Sequence, residues 1–180
     1  MATSIEELEA RISGLETRLE AAEAVQAIHK LKARYASLVD SRYTRAGPKD
    51  AADVARAADQ ITALFSEDAV WDGGEDLGLW KGREEIRKRF LEPTLRFTLH
   101  YFVKPCIDVD GNRARGRWDI LAPITFANGK PGWMAGAEDD EYARVDGLWL
   151  HSRMKLSVVF MGPEMRGWDR TREDPGRKPL

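Results

Sequence analysis

The second half of the chain alternates charged with small or apolar residues, and this period of two most constrains the fold. Every charged residue between 113 and 119 is followed by alanine, glycine, tryptophan or isoleucine. Successive side chains of a strand point to opposite faces, so the pattern predicts strands with one solvent face and one core face. Three turn dipeptides separate such stretches: Asp110-Gly111, Asn128-Gly129 and Asp146-Gly147. We predict four long strands near residues 96–108, 113–125, 132–144 and 148–161.

The first half of the chain carries a helical period instead. Ser4 and Glu7 form a capping-box pattern at the start of one long helix, or of two stacked helices, that reaches residue 40. Apolar residues at helical spacing predict two shorter helices at 51–65 and 83–91. Helices followed by a meander of strands indicate an α+β fold, with helices on one face of a curved antiparallel sheet.

The beginning of the first helix has a heptad seam. Its apolar residues follow a 3-4-3-4-3 spacing: Ile5, Leu8, Ile12, Leu15, Leu19 and Ala22. So short a seam is not stable alone and needs a partner, either another subunit or the body of its own domain, and we place another subunit first. We therefore divide the chain into an N-terminal helical extension (1–23), a domain (24–161) and a polar tail (162–180).

Composition excludes several classes of protein. Hydrophobic residues make up 43% of the chain and include six Trp, which excludes a disordered chain. The net charge of -2 argues against binding nucleic acid by neutralising phosphates. The single cysteine, Cys106, excludes a disulfide framework and a multi-cysteine metal site. No apolar run approaches the roughly 20 residues of a membrane span, and the N-terminus lacks a signal-peptide core, so we expect a cytoplasmic protein without a membrane partner.

Four segments, in their order and spacing, carry a resemblance to a known family. They are IHKLKARYASLVD, then LFSEDAVWDGG with LWKGREEI, then TLHYFVKPCIDVDGNRARGRW, then DEYARVDGLW. Together they resemble the SnoaL-like branch of the nuclear transport factor 2-like superfamily over about residues 24–161. The resemblance implies a cone-shaped structure, in which a bent sheet wrapped by three helices encloses one deep, mostly apolar pocket.

Within this branch, the chain resembles bile-acid dehydratase, scytalone dehydratase and hexachlorocyclohexane dehydrochlorinase. An Asp at the end of the first helix and a His early in the first long strand correspond to Asp40 and His100. Tyr35, five residues before Asp40, matches a Tyr of the bile-acid enzyme. An Arg and an Asp of that enzyme correspond here to Val158 and Ala122, so the resemblance does not imply its exact reaction.

The same three residues are the minimum set for an elimination reaction. Histidine is the side chain best suited to remove a proton near neutral pH, and a carboxylate fixes its tautomer. A buried Tyr donates a hydrogen bond to the leaving hydroxyl. Each residue also has a structural explanation: His100 as a core histidine, Asp40 as a loop residue, Tyr35 as core packing. Two residues separated by five positions on a helix point in directions that differ by about 140°. Tyr35 and Asp40 can therefore face one pocket only if Asp40 lies where the helix ends.

Six further residues are candidates for substrate binding: Phe102, Lys104, Trp118, Trp133, His151 and Arg153. Lys104 follows His100 on one strand face, and its amine either binds an anionic group or lies in solvent at the strand end. The two Trp suit a flat aromatic substrate, although core packing explains them as well. His151 and Arg153 share one face of the last strand, which is either the outer face or part of the pocket.

The sequence thus indicates a cofactor-independent lyase with no metal. It would eliminate water or another small fragment, such as formaldehyde, from a hydroxylated aromatic or polycyclic small molecule. An isomerase or hydrolase on the same scaffold and a non-catalytic ligand-binding or assembly module are the alternatives. A His100–Asp40 hydrogen bond facing a cavity would favour an enzyme. We also expect a homo-oligomer, trimer ahead of dimer, with no nucleic-acid partner.

Overall fold

A computed structural model describes residues 4–163, apart from the side chain of Asp76. The helices are α1 (Ile5–Asp40), α2 (Ala51–Thr62), α3 (Gly74–Leu77) and α4 (Gly82–Leu91). The strands are β1 (Tyr43–Thr44), β2 (Gly47–Pro48), β3 (Phe65–Asp72), β4 (Leu79–Lys81), β5 (Phe97–Thr98), β6 (Tyr101–Asp110), β7 (Arg113–Thr125), β8 (Pro131–Val145) and β9 (Leu148–Pro163). The tail predicted from residue 162 lies outside the described residues after Pro163.

Helix α1 is one continuous helix of 36 residues. The predicted capping box is present, because the Glu7 N–H donates to Ser4 Oγ at 3.2 Å and the Ser4 N–H donates to Glu7 Oε2 at 2.9 Å. The apolar seam is exposed to solvent, each side chain by 46–75%, at Ile5, Leu8, Ile12, Leu15 and Leu19. Burial begins at Ala24. The helix therefore crosses the predicted boundary at residue 23 without a break.

The second half of the chain forms the predicted meander. Strands β6 to β9 pair in chain order, each antiparallel to the next. The full order in the seven-stranded sheet is β4-β3-β9-β8-β7-β5, with β6 pairing the same edge of β7 as β5 does. The α+β class, with helices packed on a curved sheet, is thereby confirmed.

One strand corrects the expectation of a purely antiparallel sheet. Strand β3 pairs with β9 in parallel, so the sheet is mixed. We placed Phe65 on the second helix, but α2 ends at Thr62 and Phe65 begins β3. The register of β3 against β9 shifts between Phe65 and Val70, and this irregularity removes the clean alternation that marks β7.

Two bulges bend the hairpin between β8 and β9. At the first, Gly136 approaches the neighbouring backbone so closely that a Cβ there would lie 2.4 Å from the Ser157 carbonyl oxygen. At the second, Glu141 pairs with Arg153 and Tyr142 with His151, which leaves Ser152 as the extra residue. The extra residue reverses which side chains of β9 point inward.

The core lies between the concave face of the sheet and the helices. Ile28 and Tyr35 of α1 pack there with residues of α2, α4 and the sheet, among them Ile61, Ile86, Phe90, Phe65 and Met154. A smaller cluster lies toward the other end of the sheet: Ile120, Ala122, Ile124, Met134 and Leu156. Within residues 4–163, no helix is both long enough and apolar enough to cross a membrane.

We expect Ile28→Ala to destabilise the protein by about 2–5 kcal/mol, because it leaves a cavity where α1 meets the core. Ile28 is fully buried, whereas Leu148, the first residue of β9, is 67% exposed. The matched control Leu148→Ala should cost less than about 0.5 kcal/mol. Denaturant unfolding measures both free energies. Equal losses in the two variants would contradict the packing of α1 described above.

Candidate active site

A gap in the edge of the sheet positions His100. Strand β5 ends at Thr98 and β6 begins at Tyr101, so His100 lies between two strands that share one edge of β7. Its backbone N–H donates to both carboxylate oxygens of Asp40, at 3.2 and 3.0 Å. Its ring Nδ1 lies 2.5 Å from Asp40 Oδ1. Main chain and side chain of one residue thus bind the same carboxylate.

Asp40 is the last residue of α1. A carboxylate at a helix C-terminus opposes the helix dipole, and here the contacts with His100 offset that cost. A carboxylate only accepts hydrogen bonds, so Nδ1 of the neutral ring carries the hydrogen and Nε2 keeps its lone pair. Both side chains are 15% exposed. The arrangement leaves one accessible imidazole nitrogen that can accept a proton.

His100 lines a cavity of about 80 Å³ that reaches from the end of α1 to the sheet. Most of its wall is apolar, and Tyr35, Arg42, Arg89, Thr98 and Glu138 also line it. The Thr98 hydroxyl is buried and bonds to no described group. Ligand pockets typically measure roughly 300–1,000 Å³. A large substrate therefore requires side chains at the rim to move.

Tyr35 lies 4% exposed at the inner wall of this cavity. Its hydroxyl oxygen accepts a hydrogen bond from Trp71 Nε1 at 3.3 Å. Among the described residues nothing accepts its hydrogen, which is therefore available to a bound molecule. Burial, assisted by the nearby Glu138 charge, raises the pKa of Tyr35. The phenol consequently stays protonated and acts as a hydrogen-bond donor.

A buried ion cluster lies behind the cavity, and the sequence analysis did not predict it. Lys32 of α1, 1% exposed, binds Glu138 and lies 2.7 Å from Asp140 Oδ2. Tyr142 donates to the same Asp140 oxygen at 2.7 Å. The signal was present: Lys32 falls four residues after Ile28 and three before Tyr35, on the apolar face of the helix.

The cluster holds more negative than positive charge. Burial raises the pKa of Asp140 to about 6; the nearby Lys32 charge opposes the shift and the Glu138 charge adds to it. His151 is completely buried beside it, and neither ring nitrogen has a hydrogen-bond partner among the described groups. Burial and then the Lys32 charge lower the pKa of His151 well below its usual range, so the ring is neutral.

Comparison with known proteins identifies the family. The family model of the SnoaL-like domain matches residues 20–155. The chain belongs to the SnoaL-like domain family. No curated protein matches its sequence.

Solved structures similar to this SnoaL-like chain share its fold at low sequence identity. One is a scytalone dehydratase-like protein from Novosphingobium aromaticivorans DSM 12444, with TM-score 0.65 and 22% identity over 79% of this chain and 88% of that one. Another is a hexachlorocyclohexane dehydrochlorinase, LinA type 2, with TM-score 0.65 and 22% identity over 79% and 89%. A third is an NTF2-like protein with a cystatin-like fold from Novosphingobium aromaticivorans, with TM-score 0.62 and 21% identity over 88% and 92%.

Lys104 is not part of the pocket, contrary to one of our two expectations. Its side chain is 79% exposed, and its amine lies 2.7 Å from Asp119 Oδ2. The β6–β7 register shifts between Val103 and Cys106, and Lys104 has φ 51. This irregularity turns Lys104 away from the face that His100 occupies. Phe102 does not line the cavity either; its ring stacks on that of His100 with centroids 6.2 Å apart.

The aromatic and basic candidates on β7 to β9 also lie outside the cavity wall. Trp118 is a core residue whose Nε1 donates to the Tyr142 hydroxyl at 3.0 Å. Trp133 is next to Met134, and strand alternation directs Met134, not Trp133, into the cavity. The bulge at Ser152 places His151 and Arg153 on opposite faces of β9. His151 points into the core, whereas Arg153 is 40% exposed and binds Asp72 at 3.0 Å.

Within the described part of the chain, no group of three or more His, Cys, Asp or Glu side chains is arranged to hold a metal ion. The expectation that the reaction needs neither metal nor organic cofactor stays a prediction.

We expect Lys32→Met to destabilise this SnoaL-like domain by about 3–5 kcal/mol, because it leaves Glu138 and Asp140 buried without their cation. Lys88→Met is the matched control, since Lys88 is 61% exposed and pairs with Glu84 on the surface of α4. Its cost should stay below about 1 kcal/mol. Equilibrium unfolding at neutral pH measures both. A Lys32 variant as stable as the control would show that the cluster does not need its cation.

Proposed function

We propose that this protein is a lyase that eliminates water or another small fragment, such as formaldehyde, from a hydroxylated aromatic or polycyclic small molecule without a cofactor. The proposal rests on one observation above all: Asp40 binds both the backbone and the ring of His100, at the wall of a mostly apolar cavity. The dehydratase-like and dehydrochlorinase structures with the same fold support an elimination.

In a dehydration, His100 Nε2 accepts a proton from the carbon next to the one that bears the hydroxyl. The electrons of that C–H bond form the C=C bond, and the C–O bond breaks. Asp40 stabilises the imidazolium that forms, because it accepts the hydrogen bond from Nδ1. Tyr35 donates a hydrogen bond to the leaving oxygen.

The proton that completes the water molecule comes from the imidazolium rather than from Tyr35. The buried phenol is a poor acid because burial raises its pKa, so it stabilises the departing oxygen without giving up its proton. His100 then acts first as base and afterwards as acid, and the site returns to its starting state. Both the C–H bond that breaks and the leaving hydroxyl must therefore lie within reach of His100 Nε2.

Loss of formaldehyde uses the same residues. His100 removes the hydroxyl proton of a hydroxymethyl group, and the C–C bond to that group breaks as formaldehyde forms. The electron pair of the broken C–C bond then forms a C=C bond and expels the hydroxyl on the neighbouring carbon. The expelled hydroxide takes the proton from His100 and leaves as water. Since base, orienting carboxylate and donor are common to both reactions, the substrate decides between them.

We expect His100→Ala to lower turnover by about 10²–10⁴-fold, the usual contribution of a general base. Asp40→Asn should be similarly severe, because an amide stabilises the imidazolium poorly, and Tyr35→Phe should be milder. The measurement is product formation from aromatic-diol and hydroxysteroid libraries, with no cofactor added. Lys104→Ala is the control, because its exposed side chain binds Asp119 outside the cavity.

The His100 variant must first be shown to be folded by circular dichroism. If it then retains near-normal turnover on a substrate of the wild type, the base lies elsewhere and the mechanism is wrong. If no compound in either library reacts with the wild-type protein but ligands bind in the cavity, the alternative of a non-catalytic binding module is correct.

We further propose that the exposed seam of α1 forms a homo-oligomer, trimer ahead of dimer. A row of exposed aliphatic side chains on a helix is an association surface. Sedimentation velocity at micromolar concentration should show an oligomer, and Leu8→Glu with Leu15→Glu should dissociate it. The control pair Glu9→Gln and Glu16→Gln alters the same helix outside the seam. A wild-type protein that sediments as a monomer would refute the proposal.

A further inference from the structure

Two guanidinium groups line the cavity, and neither forms an ion pair with any side chain that the structure describes. Arg42 follows the end of α1 and Arg89 lies in the last turn of α4, and both line the same cavity as His100. Every close pair of a basic and an acidic side chain among the described residues involves a different basic residue: Lys32, Arg56, Arg87, Lys88, His100, Lys104, Arg117, His151 and Arg153. Two cations therefore face a single carboxylate, that of Asp40, at this end of the cavity, and His100 already binds that carboxylate.

Arg42 is held rigidly by main-chain carbonyls. Its Nε donates to the Val39 carbonyl at 3.1 Å, and its Nη1 donates to the Phe90 carbonyl at 2.9 Å. Its guanidinium carbon lies 5.0 Å from the ring centre of Phe90. Carbonyl dipoles and an aromatic face orient the group, but they do not cancel its full charge. Arg42 thus supplies a fixed positive charge, 4% exposed, beside the cavity.

Arg89 is oriented by stacking alone. Its guanidinium carbon lies 5.3 Å from the ring centre of Trp71, which also lines the cavity. Within the described structure its N–H groups donate to no hydrogen-bond acceptor. A stacked guanidinium keeps its planar fork of donors open, in the geometry that matches a carboxylate. Its donors are therefore oriented but unoccupied.

The two carboxylates at the cavity are already bound by other side chains. Glu138 is bound to Lys32, and Asp40 to His100. Burial lowers the pKa of Arg42, against the opposing effect of the nearby Asp40 charge, and burial also lowers the pKa of Arg89. A cation removed from water without a counterion is unfavourable. Both guanidinium groups therefore stabilise an anion that enters the cavity.

We propose that the substrate of this site carries an anionic oxygen group, a carboxylate or a phenolate, which Arg89 binds directly with Arg42 as a fixed second charge. This inference rests on the proposed function. The anionic group would hold the substrate so that its hydroxyl faces Tyr35 and the proton to be removed faces His100. It narrows the substrate class to small anionic aromatic or cyclic molecules. A neutral hydrocarbon-like substrate would leave the guanidinium donors of Arg89 unoccupied.

The test compares anionic probes with neutral probes of the same shape. Isothermal titration calorimetry measures the dissociation constants. One comparison is between benzoate and benzamide, and the other is between the ionised and the protonated form of 4-nitrophenol. We expect the anions to bind about 10- to 100-fold more tightly, as charge-assisted hydrogen bonds imply. Preference for benzoate indicates a carboxylate site, and preference for the nitrophenolate a phenolate site; either supports the inference. Equal binding of anion and neutral probe, or no binding, overturns it.

Three variants locate the anion. Arg89→Gln should abolish the preference for the anion, and Arg89→Lys should retain part of it, because the charge remains without the planar fork. Arg87→Gln, on the same helix but paired with Asp59 at the surface, is the matched control and should bind as the wild type does. If Arg87→Gln loses as much affinity as Arg89→Gln, the inference is wrong.

The same titration separates this inference from the proposed function. His100→Ala should still bind benzoate more tightly than benzamide, even though its turnover is lost. If His100→Ala keeps its turnover while Arg89 still controls anion binding, the lyase mechanism fails and the anion site stands. If His100→Ala loses turnover while Arg89→Gln binds both probes as the wild type does, the mechanism stands and the anion site is wrong.

Discussion

The buried charge of Lys32 couples the long helix to the middle of the sheet. An ammonium group that leaves water must meet negative charge, and on β8 Glu138 and Asp140 supply it. Because both carboxylates point inward from one strand, they determine which side of α1 faces the sheet. Tyr35 lies three residues further along the same side, so this ion cluster also directs the phenol into the cavity. The orientation of the cavity wall thus depends on Lys32, which does not itself line the cavity.

His100 and Asp40 meet because two regular elements end there. The last residue of α1 leaves an acceptor at the helix end, and the interruption between β5 and β6 leaves a backbone N–H that no strand pairs. The backbone N–H of His100 thus bonds to the Asp40 carboxylate instead of to a neighbouring strand. The two irregularities therefore create the site together, and the regular helix and sheet around them keep it rigid.

The sequence predicted most of the elements and part of the site. Strand β7 was predicted at its observed bounds, because alternation and flanking turns agree over its whole length. Alternation does not reveal where it is interrupted, which is why the bulges near Lys104 and Ser152 reversed the predicted directions of their side chains. Resemblance, rather than pattern, singled out Asp40 and His100. Arg42 and Arg89 look like surface arginines in the sequence, since only the folded chain shows that they share a cavity.

The continuity of α1 has a mechanical consequence. At about 1.5 Å per residue, its 36 residues span roughly 54 Å, and one stiff rod carries the solvent-exposed stripe at one end and Asp40 at the other. A partner that binds the exposed end of α1 would tilt the helix about the packed segment that begins at Ala24. A small tilt of the helix would change the distance between the Asp40 carboxylate and the imidazole, whose contact is only 2.5 Å long. Assembly through the exposed end of α1 would in this way alter the contact between Asp40 and His100 from a distance.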